Sequence, residues 1–192
     1  MKEGKNILRI NDINVSFYIY NHAVYDKIIF VSVLKGRLLM FGTEQMTSKQ
    51  AFEMYKSDIE KLIAYLPWLE TVSSKRKVAS FYTGEDVGAK SLPFPVYDGN
   101  LLRFIKDAEN TAFISRNYVY VITANRLRTP LDDKKFVCAQ GMLGLDKIGA
   151  VLSKYVLGGR VKAVLWAQAV DECVFLEIVT RLKELYDEGM NS

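Results

Sequence analysis

The stretch that decides the fold is residues 145–186, LDKIGAVLSKYVLGGRVKAVLWAQAVDECVFLEIVTRLKELY. Its apolar residues recur at three- and four-residue steps, which place side chains on one face of a helix. The spacing predicts three consecutive helices, separated at Gly158-Gly159 and at residues 171–173. Because such short connections make neighbouring helices pack together, we expect the three to share one core. The middle helix, residues 160–170, carries charge only at its start and should be the most buried.

The last of these helices has the clearest pattern. Apolar side chains form a stripe along one face, while acidic and basic side chains fill the opposite face. A helix of this kind lies on a surface with its stripe towards the core. The predicted core stripe consists of Phe175, Ile178, Val179, Leu182, Leu185 and Tyr186.

The same stretch is similar to a known sequence pattern. Residues 155–160 and 180–183 resemble the C-terminal end of an uncharacterised bacterial domain family, a domain of unknown function, and the likeness covers roughly residues 59–185. Members of that family typically carry an Arg-Phe pair, a Glu-Gly shortly after it, and a closing Ile-Leu-x-Arg-Leu-Lys. The arginine is present here, but Val161 stands in place of the phenylalanine and Ala163-Val164 in place of the Glu-Gly. The family has no assigned activity, so the resemblance implies a fold and no function.

The N-terminal part has a different pattern. Between residues 7 and 41, β-branched and aromatic residues form alternating or dense apolar runs, which predict an antiparallel meander of three or four strands. Thr47 and Gln50 then match a capping box, and the helix that they open should end at Pro67. Because a lone sheet cannot bury its own face, we expect this helix to cover the meander.

The chain between these two parts predicts shorter elements. Residues 78–82 and 92–97 are typical of short strands, and Asp98 should cap a helix that ends at Asn110. The apolar run 118–122 is interpreted as a buried strand. Thr129 followed by a proline predicts the start of another short helix.

These elements predict an α+β fold class, with an N-terminal antiparallel β-meander, a covering helix and a mostly helical C-terminal half. Residues 1–70 would form the sheet with its helix. Residues 71–192 would form a mixed, mainly helical part that packs on it, and the two parts can equally be a single domain.

Composition restricts the class of protein. The chain has 192 residues, of which 49% are hydrophobic, and its net charge of +4 is spread evenly, so no segment is a polycation. Residues 1–6 lack a signal-peptide core, and no run of about 18 apolar residues could span a bilayer. Cys138 and Cys173 are then expected to be reduced thiols. We predict a cytoplasmic protein that does not bind a membrane.

Most catalytic and metal-binding patterns are missing from the sequence. His22 is the single histidine, the two cysteines form no CxxC motif, and no phosphate-binding glycine motif is present. Pairs of adjacent acidic residues occur, such as Glu85-Asp86, Asp132-Asp133 and Asp171-Glu172, but neighbouring side chains point in different directions, and each of these pairs suits a loop or helix end. We therefore predict no catalytic residue, no cofactor and no metal.

Basic and aromatic residues supply the candidate binding site. Lys75, Arg76 and Lys77 form a compact basic run. Three arginines, at positions 116, 126 and 128, bracket the predicted strand 118–120. Trp68 lies at the end of a predicted helix. Arginine beside aromatic residues suits a protein interface as well as a nucleic acid. Against this, a run of three cations is usually a solvated loop, and a tryptophan is usually a core residue. The candidates are Lys75, Arg76, Lys77, Arg116, Arg126, Arg128 and Trp68.

The function that we expect is a non-enzymatic protein-binding module, such as a small bacterial or phage-encoded regulator or inhibitor of a host macromolecular complex. The alternative is a nucleic-acid-binding protein that uses the modest basic patch. An enzyme that relies on carboxylates is the third possibility. Nucleic-acid binding would fall steeply with salt, protein docking would survive nuclease treatment, and an enzyme would need a pocket in which two carboxylates converge.

Overall fold

The structure is a computed structural model of the chain. It describes the backbone of residues 4–10, 13–19, 27–34, 37–75, 78–82, 94–162 and 164–191, and the side chains of residues 46–73, 78–80, 95–162 and 164–191. Along the described residues, four strands come first, followed by two helices, two more strands and then six helices. The helices are α1 (Ser48–Ile63), α2 (Leu66–Lys75), α3 (Gly99–Glu109), α4 (Tyr118–Ala124), α5 (Pro130–Cys138), α6 (Leu145–Gly158), α7 (Val164–Asp171) and α8 (Val174–Met190), with a 3-10 turn at Met142–Gly144. The backbone strands are β1 (Gly4–Ile10), β2 (Ile13–Ile19), β3 (Lys27–Leu34), β4 (Arg37–Gln45), β5 (Ala79–Tyr82) and β6 (Phe94–Tyr97), with β1 to β4 and β5 to β6 paired antiparallel in chain order.

The predicted fold class is wrong. We expected an α+β protein in which a helix covers an N-terminal meander. Over the residues whose side chains are described, the chain is mostly helical, and its one sheet there is the β5–β6 pair. Helix α1, the predicted cover, packs instead against α8, α3 and the 3-10 turn. The core cluster accordingly runs from Tyr55 to Leu185 and consists almost wholly of helical residues. An apolar stripe on a helix fits a helical partner as well as a sheet, and the sequence does not say which.

Helix α8 lies at the centre of this helical body, and its predicted stripe is confirmed. Five stripe residues, from Phe175 to Leu185, are fully buried, and Tyr186 packs against the core. The helix contacts α1, α5, α2 and α7. Leu152 of α6 and Leu182 of α8 belong to the same core cluster, as the shared interior of the two helices requires. Each such leucine contributes roughly 1.5–3 kcal/mol through removal of its side chain from water.

The middle helix of the three is not the most buried one, so that prediction is wrong. Helix α7 begins only at Val164, because the N–H groups of Val161 and Lys162 turn back to the carbonyl of Gly158. Val161 is 86% exposed and Val164 is 54% exposed, and only two residues of α7 are buried. Lack of charge made this segment look internal, but apolar residues are common at protein surfaces.

Several predicted helix boundaries are confirmed by their caps. Thr47 and Gln50 form a reciprocal capping box at α1, and the side chain of Asp98 accepts the N–H of Asn100 at the start of α3. Thr129 caps α5 in the same way as Thr47 caps α1. Pro67, in contrast, does not end a helix. It lies in the first turn of α2, where a residue without an N–H group leaves no hydrogen bond unmade.

No helix among the described residues combines the length and the apolar character that crossing a lipid bilayer requires.

Candidate functional site

Residues 118–122 form part of helix α4, and the prediction of a buried strand there is wrong. Val121 is buried and Tyr118 and Ile122 are half-buried, a three-to-four-residue spacing that places them against α6. On the opposite face Val119 is 57% exposed and Tyr120 is 60% exposed. The β-branched and aromatic residues of this run favour a strand. Packing on α6 and the turns at both ends of the run override that preference.

The segment before α4 is held on helix α6. The N–H of Ser115 donates to Oγ of Ser153 at 2.9 Å, and that hydroxyl donates to the carbonyl of Gly149 at 2.7 Å. A side chain at Gly149 would collide with the backbone carbonyl of Phe113. The N–H of Asn117 then donates to Oγ of Ser115 at 3.3 Å, one step before α4 begins. The entrance to α4 is therefore fixed to α6 by the hydroxyl of Ser153 and by the close approach of the Phe113 backbone to Gly149.

The end of α4 is a Schellman motif with an arginine at the left-handed position. The N–H of Arg126 donates to the carbonyl of Thr123 at 3.1 Å, and the N–H of Leu127 donates to that of Ile122 at 3.0 Å. Leu127 is buried, as is usual for the residue that closes this motif. Arg126 has φ 55°, a conformation that costs an L-residue roughly 1–2 kcal/mol and that glycine usually supplies. Strained residues of this kind cluster at functional sites.

The structure brings three of the predicted arginines to the two ends of α4. Arg116 immediately precedes the cap residue Asn117, whereas Arg126 and Arg128 follow the helix, and all three side chains are exposed. Among the described residues, none of the three guanidinium groups has an ion-pair or hydrogen-bond partner. We define the α4 surface as Arg116, Val119, Tyr120, Arg126 and Arg128.

The other predicted site residues lie elsewhere. Trp68 is half-buried on α2 and packs against the core, and its indole Nε1 is buried without an acceptor among the described residues. Lys75 is the last residue of α2. Its side chain lies outside the described residues, and so do Arg76 and Lys77. Trp68 is therefore not part of the α4 surface.

Sequence reasoning missed the exposure of Val119 and Tyr120, because it assigned both to a buried strand. A signal for the helix was present. Asn117 and Asn125 bracket the run at the positions of the two caps, and asparagine favours helix ends over strand interiors. The spacing of the inward-facing residues was also helical.

Other polar contacts in the described structure stabilise the fold. Buried Asp133 of α5 accepts hydrogen bonds from Lys154 Nζ and from the hydroxyl of Tyr155, both at 2.6 Å, and so ties α5 to α6. Burial and then the Asp133 hydrogen bond raise the pKa of the Tyr155 hydroxyl far above its ordinary value. This hydroxyl therefore stays protonated and acts as a structural donor.

The thiol of Cys138 is not activated. It donates to the carboxylate of Glu177 at 2.8 Å, and loss of hydration together with that hydrogen bond raises the pKa of Cys138 to about 11. A reactive thiol needs a lowered pKa. In the part of the chain that the structure describes, no group of three histidine, cysteine or acidic residues is arranged to hold a metal ion.

A comparison of the chain with protein families, with curated proteins and with solved structures finds no match. The resemblance of residues 59–185 to a domain of unknown function therefore stays a prediction.

Proposed function

We propose that the protein is a non-enzymatic binding module that docks on another protein through the α4 surface. The observation that carries the proposal is the exposure of Val119 and Tyr120 on the outer face of α4, with arginines at both ends of the helix. Single exposed apolar residues are ordinary. Tyrosine and arginine are residue types enriched at protein interfaces, and Val119 extends the apolar area beside Tyr120.

The support of α4 favours binding further. The helix packs on α6, its entrance is tied to Ser153, and its end is closed by the buried Leu127. Its outer face is therefore ordered before a partner arrives. A preorganised surface loses less conformational entropy on association than a flexible one, so more of the contact energy appears as affinity.

Nucleic acid fits this surface less well. Proteins whose affinity for DNA depends strongly on salt make about 6–10 phosphate contacts, whereas the α4 surface offers three cationic side chains. Between them, the outward-facing residues Val119, Tyr120 and Thr123 carry no charge. An uncharged centre matches an apolar side chain of a protein better than a phosphate backbone.

The proposal is tested by comparing what three forms of the protein capture from a nuclease-treated cell extract. The forms are the wild type, a Val119→Ser/Tyr120→Ser variant, and a Leu102→Ser control that removes an apolar residue 46% exposed on α3. Proteins captured equally by the wild type and the control, but lost with the α4 variant, support the proposal. Identical capture by all three forms, with each variant folded by circular dichroism, contradicts it.

A further inference from the structure

We infer that the partner of the α4 surface is an acidic protein segment, which places carboxylates on the flanking arginines and one apolar side chain over Val119 and Tyr120. This inference rests on the proposed function and specifies the chemistry of the partner. It follows from the charge around α4, from the bonding of the arginines and from the length of the helix.

Charge is one-sided in the sequence on both sides of α4. Residues 110–131 contain three arginines and no aspartate, glutamate or lysine. The next acidic residue along the chain is Asp132, whose carboxylate accepts the backbone N–H groups of Arg128 and Thr129 at 3.2 and 2.9 Å. That carboxylate is committed to capping α5. No acidic residue near α4 in the sequence is left to neutralise the three arginines of the α4 surface. A partner surface with complementary charge is therefore negative.

The α4 arginines differ from the other arginines whose side chains the structure describes. Arg160 forms two hydrogen bonds to the carboxylate of Glu109, one of them 2.6 Å long from Nε. Arg181 binds Glu184 and the carbonyl of Gln140. Arg103 donates to a helix carbonyl and a side-chain amide on its own helix. All three stabilise the fold through contacts within the chain, whereas those of the α4 surface have no such partner among the described residues.

The length of α4 sets the spacing of the carboxylates. Its seven residues make a helix about 10 Å long. Arg116 precedes this helix, and Arg126 follows it with Arg128 at most about 7 Å further along the chain. The backbones of these arginines are thus separated by about one helix length, so a partner that binds both ends carries acidic groups at two places, with its apolar residue between them. A guanidinium binds a carboxylate through two parallel hydrogen bonds, which makes the recognition geometrically specific.

A second copy of this chain is a poor occupant of the same surface. In a symmetric dimer built on α4, the three arginines of one copy would face the same arginines of the other. Like charges brought together at an interface weaken the association. The α4 surface therefore favours a different protein over self-association.

The experiment is selection of binders from a displayed library of random 16-residue peptides. The library is panned in parallel on the wild type, on an Arg116→Glu/Arg126→Glu/Arg128→Glu variant, and on the Val119→Ser/Tyr120→Ser variant. We expect peptides selected on the wild type to be rich in aspartate and glutamate around one apolar residue. Their affinity for the triple variant should be lower by more than about tenfold, because carboxylates would then face carboxylates, and the triple variant should select basic peptides instead. An Arg116→Gln/Arg126→Gln/Arg128→Gln variant replaces it if the triple glutamate form does not fold.

The outcomes separate the two claims. Peptides that bind the α4 surface but carry no excess of acidic residues overturn the inference and leave the proposed function standing. Peptides whose binding is unaffected by Val119→Ser/Tyr120→Ser overturn both. A fluorescent 20-nucleotide single strand is titrated alongside, and an affinity above that of the best peptide shows a nucleic-acid site and also overturns the inference.

Discussion

Replacing Arg126 by glycine should stabilise the protein while weakening its binding. Arg126 holds φ 55° at the end of α4. Relief of that conformation is worth roughly 1–2 kcal/mol. Glycine also gives the unfolded chain more freedom, which offsets about 0.4–1 kcal/mol of the gain. At the midpoints of these two ranges the net increase in the free energy of unfolding is about 0.8 kcal/mol, or roughly 2–3 °C in the melting temperature of a protein of this size.

The matched control is Arg126→Ala, which removes the same guanidinium but keeps an L-residue in the left-handed conformation. Its stability should stay within about 0.5 kcal/mol of the wild type, as for most surface substitutions. Thermal unfolding followed by circular dichroism measures both variants, and titration with a peptide selected on the wild type measures binding. Both variants should lose binding, and glycine alone should gain stability. A glycine variant no more stable than the alanine variant would refute the assignment of strain to this residue.

Three further predictions concern the support of the site and the core. Gly149→Ala forces a methyl group into the carbonyl of Phe113, so the free energy of unfolding should drop by about 1–3 kcal/mol; an unchanged melting temperature would mean that the two segments are not in contact. Leu182→Ala should lower the free energy of unfolding, measured with urea, by about 2–5 kcal/mol, because Leu182 is fully buried. A loss below about 1 kcal/mol would place α8 outside the core. Burial and the hydrogen bond to Asp107 raise the pKa of Tyr65 from 10.0 to about 12. The folded state therefore holds the hydroxyl proton more tightly than the unfolded state does. The stability that the protonated Tyr65 contributes is present below pH 10 and is lost as the pH rises towards 12. Urea midpoints measured across that pH range should fall less for Tyr65→Phe than for the wild type. If the midpoints of the two proteins fell equally with pH, the hydrogen bond between Tyr65 and Asp107 would be contradicted.

Local signals in the sequence predicted local structure well. The capping residues Thr47, Asp98 and Thr129 lie where helices begin, because a cap is formed by residues two or three positions apart and needs no distant partner. The stripe of α8 was equally readable, since its period of three to four residues extends over the whole helix. These features depend on neighbours in the chain, and the chain order shows them directly.

What depends on distant partners could not be predicted in the same way. The stripe of α1 was assigned to a sheet, although α8, more than a hundred residues later in the chain, is the surface on which it packs. The run at α4 has strand-forming residues, and its packing on α6, together with the turns at its two ends, overrides that preference. The same contact decides which residues of α4 face outwards. Tertiary packing overrode local preference in both places.

The candidate site was predictable in part for the same reason. Arg116, Arg126 and Arg128 were identified from the sequence as bracketing an aromatic run, and the run proved to be a helix. Exposure of Val119 and Tyr120 followed only from the structure, because the helical face in contact with α6 had to be known first. Charge can be read from the chain, whereas the exposure of an apolar side chain depends on what packs beside it.

The most direct measurement of the central claim is the dissociation constant of one selected peptide, determined by calorimetric titration against the wild type and against Tyr120→Ser. Anchoring tyrosines at interface centres contribute about 2 kcal/mol or more on truncation, which corresponds to roughly a 30-fold loss of affinity. We predict a loss of that size for Tyr120→Ser and none for Leu102→Ser. Equal affinity of the peptide for the wild type and for a folded Tyr120→Ser variant would contradict the assignment of the α4 surface as the binding face.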